Sequence, residues 1–253
     1  MSLTKLIWQP SGSNTNLNNS TCTKILDVIN DSIQDNNKKK EKRSYLGASS
    51  LGEPCSRKIQ YRYMGTETDF ENQFTPKVLR IFEFGHVIED MAHGWIYNAG
   101  FDLRSTDKNG KQYGFSIADD QIKGHIDGVI CDGPVDMAYP ALWECKSAND
   151  KSFNEYVRKG VAEVNSVYAA QLALYQAYMN LNNPALFTVV NKNTCEIYFE
   201  LVPFNKMLAQ QISDKAVDIL KAVKHNEILP RIAVNSDYFA CKRCEFRKRC
   251  WEL

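Results

Sequence analysis

Leu142–Ser147 (LWECKS) is the stretch that most narrows the folds open to this chain. In an extended strand successive side chains alternate between faces, so Glu144 and Lys146 share one face while Trp143 and Cys145 take the other. A second strand-like stretch, Ile122–Cys131, contains KGHIDGVI at 123–130. If the two pair as neighbours, Asp127 lies beside Glu144, and two carboxylates and an ammonium converge. Phosphodiester hydrolysis uses such a set. Hard oxygen ligands hold Mg²⁺ or Mn²⁺, which polarises the phosphate and lowers the pKa of a bound water, and an ammonium orients that water and stabilises charge. Glu-x-Lys alone, however, is also an ordinary surface pair on a strand, so the rest of the chain has to decide.

The surrounding pattern predicts a mixed α/β domain with a central sheet flanked by helices. Tyr113–Ile117 reads as a further strand, and Leu186–Val190 with Glu196–Val202 as a hairpin about Asn191-Lys192-Asn193. Helices are predicted over Arg57–Met64, Ser166–Leu181 and Lys206–His225. A longer one covers Pro76–Ala99, with Leu79, Phe82, Ile88, Ala92 and Trp95 as its apolar face, Pro76 in the first turn and Gly100 as the stop. Residues 1–44 read as a separate N-terminal segment. It holds a short amphipathic helix, Thr23–Gln34, with Ile25, Leu26, Ile29 and Ile33 on one side, and then a solvated basic linker, DNNKKKEKR. Residues 45–253 form the main domain. No GxxxxGK[ST] phosphate loop is present, so an ATP-driven motor is not indicated.

Two helical motifs add polar groups. In GHVIED (residues 85–90), Gly85 allows close approach to the sheet, and His86 and Glu89 lie three apart on one face, where either suits a metal shell. A satisfied histidine beside a solvated glutamate is the alternative. In QLALY, Gln171 and Tyr175 sit at i and i+4 on an otherwise apolar helix, placed to contact phosphate or to orient the lysine and its water. An amphipathic boundary explains them as well.

The chain has eight cysteines. MSLTKLIWQP lacks a long apolar h-region, so a cytoplasmic or nucleoid-associated protein in a reducing compartment is expected, not a secreted one, and clustered cysteines then point to metal rather than disulfides. Cys241, Cys244 and Cys250 follow a C-x2-C-x5-C spacing and want a fourth thiolate. Zinc and a [4Fe–4S] cluster both use four, and the spacing does not choose between them.

The order Gly85-x-x-x-Glu89, Asp127, Glu144-x-Lys146, Gln171-x-x-x-Tyr175 resembles the RecB-like branch of the PD-(D/E)XK nucleases, from about Tyr45 to the C-terminus. The resemblance implies a restriction-endonuclease-like core in which Glu89, Asp127 and Glu144 bind Mg²⁺ or Mn²⁺, with the Cys145 backbone carbonyl as a further contact and His86 as a rival to Glu89. Lys146 then assists water attack, beside Gln171 and Tyr175. The chain has Ile126-Asp127 where the family has a literal Pro-Asp. Iron–sulfur members of this group (AddB-type nucleases, exonuclease V and the CRISPR-associated exonuclease of the Cas-four type) place one cysteine before the nuclease core and three after it. By that likeness Cys55 joins Cys241, Cys244 and Cys250 around a [4Fe–4S] cluster that ties the two ends of the domain together, with zinc as the second choice. Cys22, Cys131, Cys145 and Cys195 are then most simply buried or incidental thiols.

The expected activity is that of an exonuclease on single-stranded DNA or DNA ends. A structure-specific endonuclease on the same core is the alternative, and a non-catalytic iron–sulfur or zinc nucleic-acid-binding module is a third. Lys+Arg 31 against Asp+Glu 30 gives no global basic charge, so any DNA-binding surface is local. Protein partners in recombination, replication or CRISPR adaptation fit the resemblance. No apolar stretch is long enough to cross a membrane, so no membrane partner is expected.

Overall fold

The strand-like stretches fall into two sheets rather than one. The computed structural model describes residues 15–40, 43–69 and 74–252. Its strands are β1 (Leu46–Gly47), β2 (Leu103–Arg104), β3 (Gly114–Ile117), β4 (Ile122–His125), β5 (Gly128–Ile130), β6 (Ala141–Ala148), β7 (Ala185–Asn191) and β8 (Ile197–Val202). One sheet has the order β1-β4-β3 and the other β2-β5-β6-β7-β8. The single strand expected over 122–131 is therefore two. β4 pairs with β3 and β1, whereas β5 pairs antiparallel with β6, and the chain passes between sheets at Ile126-Asp127. Ile126 anchors that transfer, fully buried and with its N–H donating to the Tyr113 carbonyl at 3.0 Å.

β6 is the centre of the larger sheet. Ala141–Cys145 are all buried, as expected of a strand covered on both faces. It runs antiparallel to β5 and parallel to β7. A parallel neighbour requires a crossover, supplied here by α5 (Asp150–Lys159), α6 (Val161–Val164) and α7 (Ser166–Tyr178). α5 was not anticipated from the sequence. Asn149 caps it by accepting from the Ser152 N–H, Phe153 and Tyr156 are buried, and the chain leaves it at Gly160 with φ 74°. Asn165 caps α7 by accepting from the N–H groups of Val167 and Tyr168. The β7–β8 hairpin forms as expected.

Each face of the larger sheet has its own apolar layer. Leu142, Phe187 and Val189 pack with Leu172 and Leu174 of α7 and with Ile212, Ala216 and Ile219 of α8 (Lys206–Lys224). Trp143, Cys145 and Val190 pack on the other side with Ile88, Ala92 and Ile96 of α4 (Pro76–Asn98). Full burial of such a side chain stabilises by roughly 1.5–3 kcal/mol. The expected stripe on α4 is thus only partly correct, because Phe82 and Trp95 are 47% and 40% exposed while Ile96 is buried. The sheet meets the 88/92/96 row, which is rotated away from those bulky residues.

The short helices α2 (Ala48–Leu51) and α3 (Ser56–Tyr63) come before the sheets, and α9 (Phe239–Lys242) and α10 (Arg247–Trp251) end the described chain. At Gly52 a Cβ would lie 2.8 Å from Val167 Cα and from Ala170 Cβ, so a glycine is what lets α2 and α7 meet.

Among the described residues, α1 (Thr15–Lys38) and residues 74–80 form a compact unit apart from the rest. Within it, Gln34 Nε2 donates to the Phe74 carbonyl at 2.8 Å and Arg80 Nη1 donates to Asn30 Oδ1 at 2.7 Å. α1 is longer than the Thr23–Gln34 helix expected, and it takes up the first residues of the supposed linker. No helix among the described residues is long and apolar enough to cross a membrane.

Candidate active site and cysteine cavity

The pairing of β5 with β6 sets Gly128 opposite Trp143, which carries Asp127 to the level of Glu144. Asp127 sits just before β5, and its Oδ2 accepts the Cys145 N–H at 2.8 Å. The Cys145 amide thus orients the carboxylate, whereas the family resemblance implies a role for that residue's carbonyl. Lys146 Nζ donates to Glu144 Oε1 and lies 4.0 Å from Asp127 Oδ2. Gln171 Nε2 donates to the same Glu144 oxygen. The other one, Oε2, is buried and has no hydrogen-bond partner. Lys146 Nζ also lies 5.3 Å from the centroid of the Tyr168 ring. Sequence reasoning missed Tyr168, although Gln171 one turn further on marks the same face of α7.

Gln171 and Tyr175 are both buried. A Cβ at Gly124 would lie 2.8 Å from Tyr175 Cε1, so this glycine admits the ring. Glu89 comes from α4, with its Oε2 3.7 Å from His86 Nδ1. The His86 side chain is 81% exposed and that of Glu89 only 29%, so Glu89 is the residue turned inward. Gly85 behaves differently from expectation. A Cβ there would meet Ser147 Oγ at an ordinary 3.8 Å, so packing does not require a glycine.

The carboxylates are held in tension. Burial, with the Asp127 charge next, pushes Glu144 up to about 8. The same two causes raise Glu89 to about 6. Burial also raises Asp127, against the opposing pull of Lys146 and the Cys145 N–H. For Lys146 burial favours the neutral amine, but the Glu144 and Asp127 carboxylates outweigh it and hold the ammonium firmly charged. Burial raises the Tyr175 phenol above its ordinary range, with the Glu144 charge adding to it. Excess negative charge in a partly dry site, with one carboxylate oxygen unpartnered, is what a cation would relieve.

The cysteines gather elsewhere. Cys55, Cys241, Cys244 and Cys250 all line one cavity of about 360 Å³. Cys22, Cys131, Cys145 and Cys195 do not line it. Cys55 is the N-cap residue of α3, and the other three lie on and between α9 and α10. The wall is tied together by ion pairs and ring packing. Arg62 donates to both Glu53 and Glu245, and Lys58 Nζ lies 2.6 Å from Glu53 and 3.6 Å from Glu245. Tyr61 meets Phe246 edge-on at 5.4 Å, and Arg57 Nη1 points at Cys250 Sγ from 3.6 Å. As the side chains stand, no three His, Cys, Asp or Glu among the described residues are drawn into a ready cation cage. In the acidic site the Lys146 ammonium is drawn in against Glu144, and in the cavity the thiols face a shared space.

No family model and no curated protein matches the chain. Among solved structures it is similar to an alkaline exonuclease from Laribacter hongkongensis. The TM-score is 0.51 at 12% identity, covering 73% of this chain and 90% of that one. A structure of that exonuclease in complex with dAMP gives a TM-score of 0.50 at 12% identity, covering 72% and 89%. The chain therefore has the mixed α/β fold of that exonuclease.

Proposed function

We propose that the protein is a metal-dependent DNA nuclease of the PD-(D/E)XK type, acting on single-stranded DNA or DNA ends. The observation that carries this reading is the convergence of Asp127, Glu144 and Lys146, with the buried Glu144 Oε2 lacking any partner. The exonuclease-like fold supports it. Asp127, Glu144 and Glu89 fit a divalent cation by donor type, since its charge would offset the burial and mutual repulsion that disfavour their anionic forms; the Cys145 carbonyl completes the proposed set, with His86 at its edge. When bound, Mg²⁺ or Mn²⁺ polarises the scissile phosphate and acidifies a water.

The chain's own groups do the rest. Gln171 fixes the Glu144 carboxylate in one rotamer, and the Cys145 N–H does the same for Asp127. Lys146 stays an ammonium, so it donates to the attacking water or a phosphate oxygen and offsets charge as the phosphate becomes pentacoordinate. Tyr175 limits water behind Glu144. The thiols of Cys55, Cys241, Cys244 and Cys250 fit an iron–sulfur cluster by donor type and by their shared cavity, with zinc as the second choice.

Purified protein with Mn²⁺ or Mg²⁺ is expected to degrade linear single-stranded DNA and to stop on chelation. A circular single strand that survives identifies an exonuclease, and one that is cut identifies an endonuclease. Failure to cut either strand with either metal overturns the proposal.

A further inference from the structure

β8 is an edge strand of the larger sheet, and its outer side is unprotected. Tyr198 and Val202 turn to the layer under α7 and α8, whereas Ile197, Phe199 and Leu201 are exposed on the opposite face. The α4 layer on that face takes in Leu186 and Val190 of β7 and leaves β8 bare. The backbone of the same three residues also points outward. The Asn191 N–H donates to the Glu196 carbonyl at 2.8 Å, and bonded pairs alternate along an antiparallel ladder. Tyr198 with Val189, Glu200 with Phe187 and Val202 with Ala185 are then the bonded pairs. Ile197, Phe199 and Leu201 therefore aim their N–H and C=O groups away from β7. Among the described residues no other backbone group reaches them. Lysine, proline or a bulge usually blunts such an edge, and IYFELV at 197–202 has no lysine, proline or glycine.

The strand is also complementary to itself. Set antiparallel to a second β8 about Phe199, it places Ile197 opposite Leu201 of the second copy and Phe199 opposite its own counterpart. All three positions then exchange backbone hydrogen bonds, and the apolar rows meet on one face. On the other face Tyr198 stands opposite Glu200 of the second copy. Tyr198 Oη already donates to Glu200 Oε2 at 3.3 Å within one chain, so phenol and carboxylate find the same partner type across the pair. No like charges face each other. We propose that two copies of the chain pair through β8 in this register, joining two five-stranded sheets into one. The two-fold axis is normal to the sheet, so both acidic sites lie on the same side of it. At about 4.8 Å per strand the two β6 strands are roughly 24 Å apart.

The full chain, purified anaerobically, is followed by sedimentation velocity and by hydrogen exchange at low and high micromolar concentration. A species of twice 28.9 kDa is expected at the high end. There the amides of Ile197, Phe199 and Leu201 should exchange on the order of tenfold more slowly than in the dilute monomer. Phe199→Lys sets two ammonium groups against each other and should raise the dimer dissociation constant on the order of a hundredfold, with an unchanged circular dichroism spectrum. A parent protein that stays monomeric at high concentration overturns the pairing and leaves the edge to a strand of another protein. A dimer whose β8 amides exchange as fast as the monomer's overturns it too, and is the result expected if copies meet instead through the exposed Ile25, Leu26 and Ile29 of α1. So does a folded Phe199→Lys chain that dimerises like the parent. Should that variant fail to fold, exchange in the parent protein decides alone.

Discussion

The acidic site and the cysteine cavity are built in opposite ways. The first is shaped by a sheet: β5 and β6 pair over a fully packed layer, and the register alone brings Asp127 level with Glu144. The second is assembled from short helices far apart in sequence, held by a network of partly buried ion pairs among Glu53, Lys58, Arg62 and Glu245. A packed sheet keeps its side chains in place whatever is bound, at the cost of leaving a buried carboxylate oxygen unsatisfied. The four cysteines around the cavity come from segments that no sheet register aligns, so their spacing follows from how the short helices dock.

That contrast sets the size of the expected effects. Lys146→Ala and Asp127→Ala should each lower metal-dependent cleavage by about a hundredfold or more while leaving the circular dichroism spectrum native, because the sheet does not need either side chain to form. Steady-state cleavage with matched spectra checks both. In the cavity, Cys→Ser at 55, 241, 244 or 250 should remove the brown colour and iron of anaerobically purified protein and reduce its solubility. The same change at Cys22, Cys131 or Cys195 should do neither. Stoichiometric zinc without iron in the parent protein would replace the cluster with a zinc site and leave the nuclease reading standing.

Smaller effects test how finely the sheet site is tuned. Tyr175→Phe keeps the ring that Gly124 accommodates and removes only the hydroxyl, so turnover should drop severalfold with little change in melting temperature. Destabilisation with full specific activity would make the hydroxyl part of the core's polar edge instead. Smallest is the pH effect on metal-free protein. Glu89 and Glu144 are raised to about 6 and about 8, so between the unfolded value of 4.5 and those values the folded state binds more protons than the unfolded state. The contribution of these two groups is full at and below pH 4.5 and is lost as pH rises through about 6 and about 8. Thermal melts should show a decline of a few degrees, and Glu144→Gln should flatten its upper part.

Much of the acidic site was legible because alternation in a strand and the i, i+4 rule on a helix are local. Leu142–Ser147 gave the shared face of Glu144 and Lys146, and QLALY gave Gln171 and Tyr175. The sheet change at Ile126-Asp127 was not legible. The alternation of apolar residues runs straight through it, and only pairing with β3 on one side and β6 on the other reveals the break. α5 escaped notice although its signal was local: Asn149 before it is a cap residue, and Phe153 and Tyr156 lie three apart on the one face that is buried.

The most direct test of the central claim is Mn²⁺-dependent cleavage of linear single-stranded DNA by Glu144→Gln beside the parent protein. The substitution keeps the shape of a buried side chain that accepts from Lys146 and Gln171, and removes the charge proposed to hold the cation. A folded variant whose rate falls by about a hundredfold or more, with weakened Mn²⁺ binding, is the expected result. Near-parental cleavage by the folded variant would contradict the assignment.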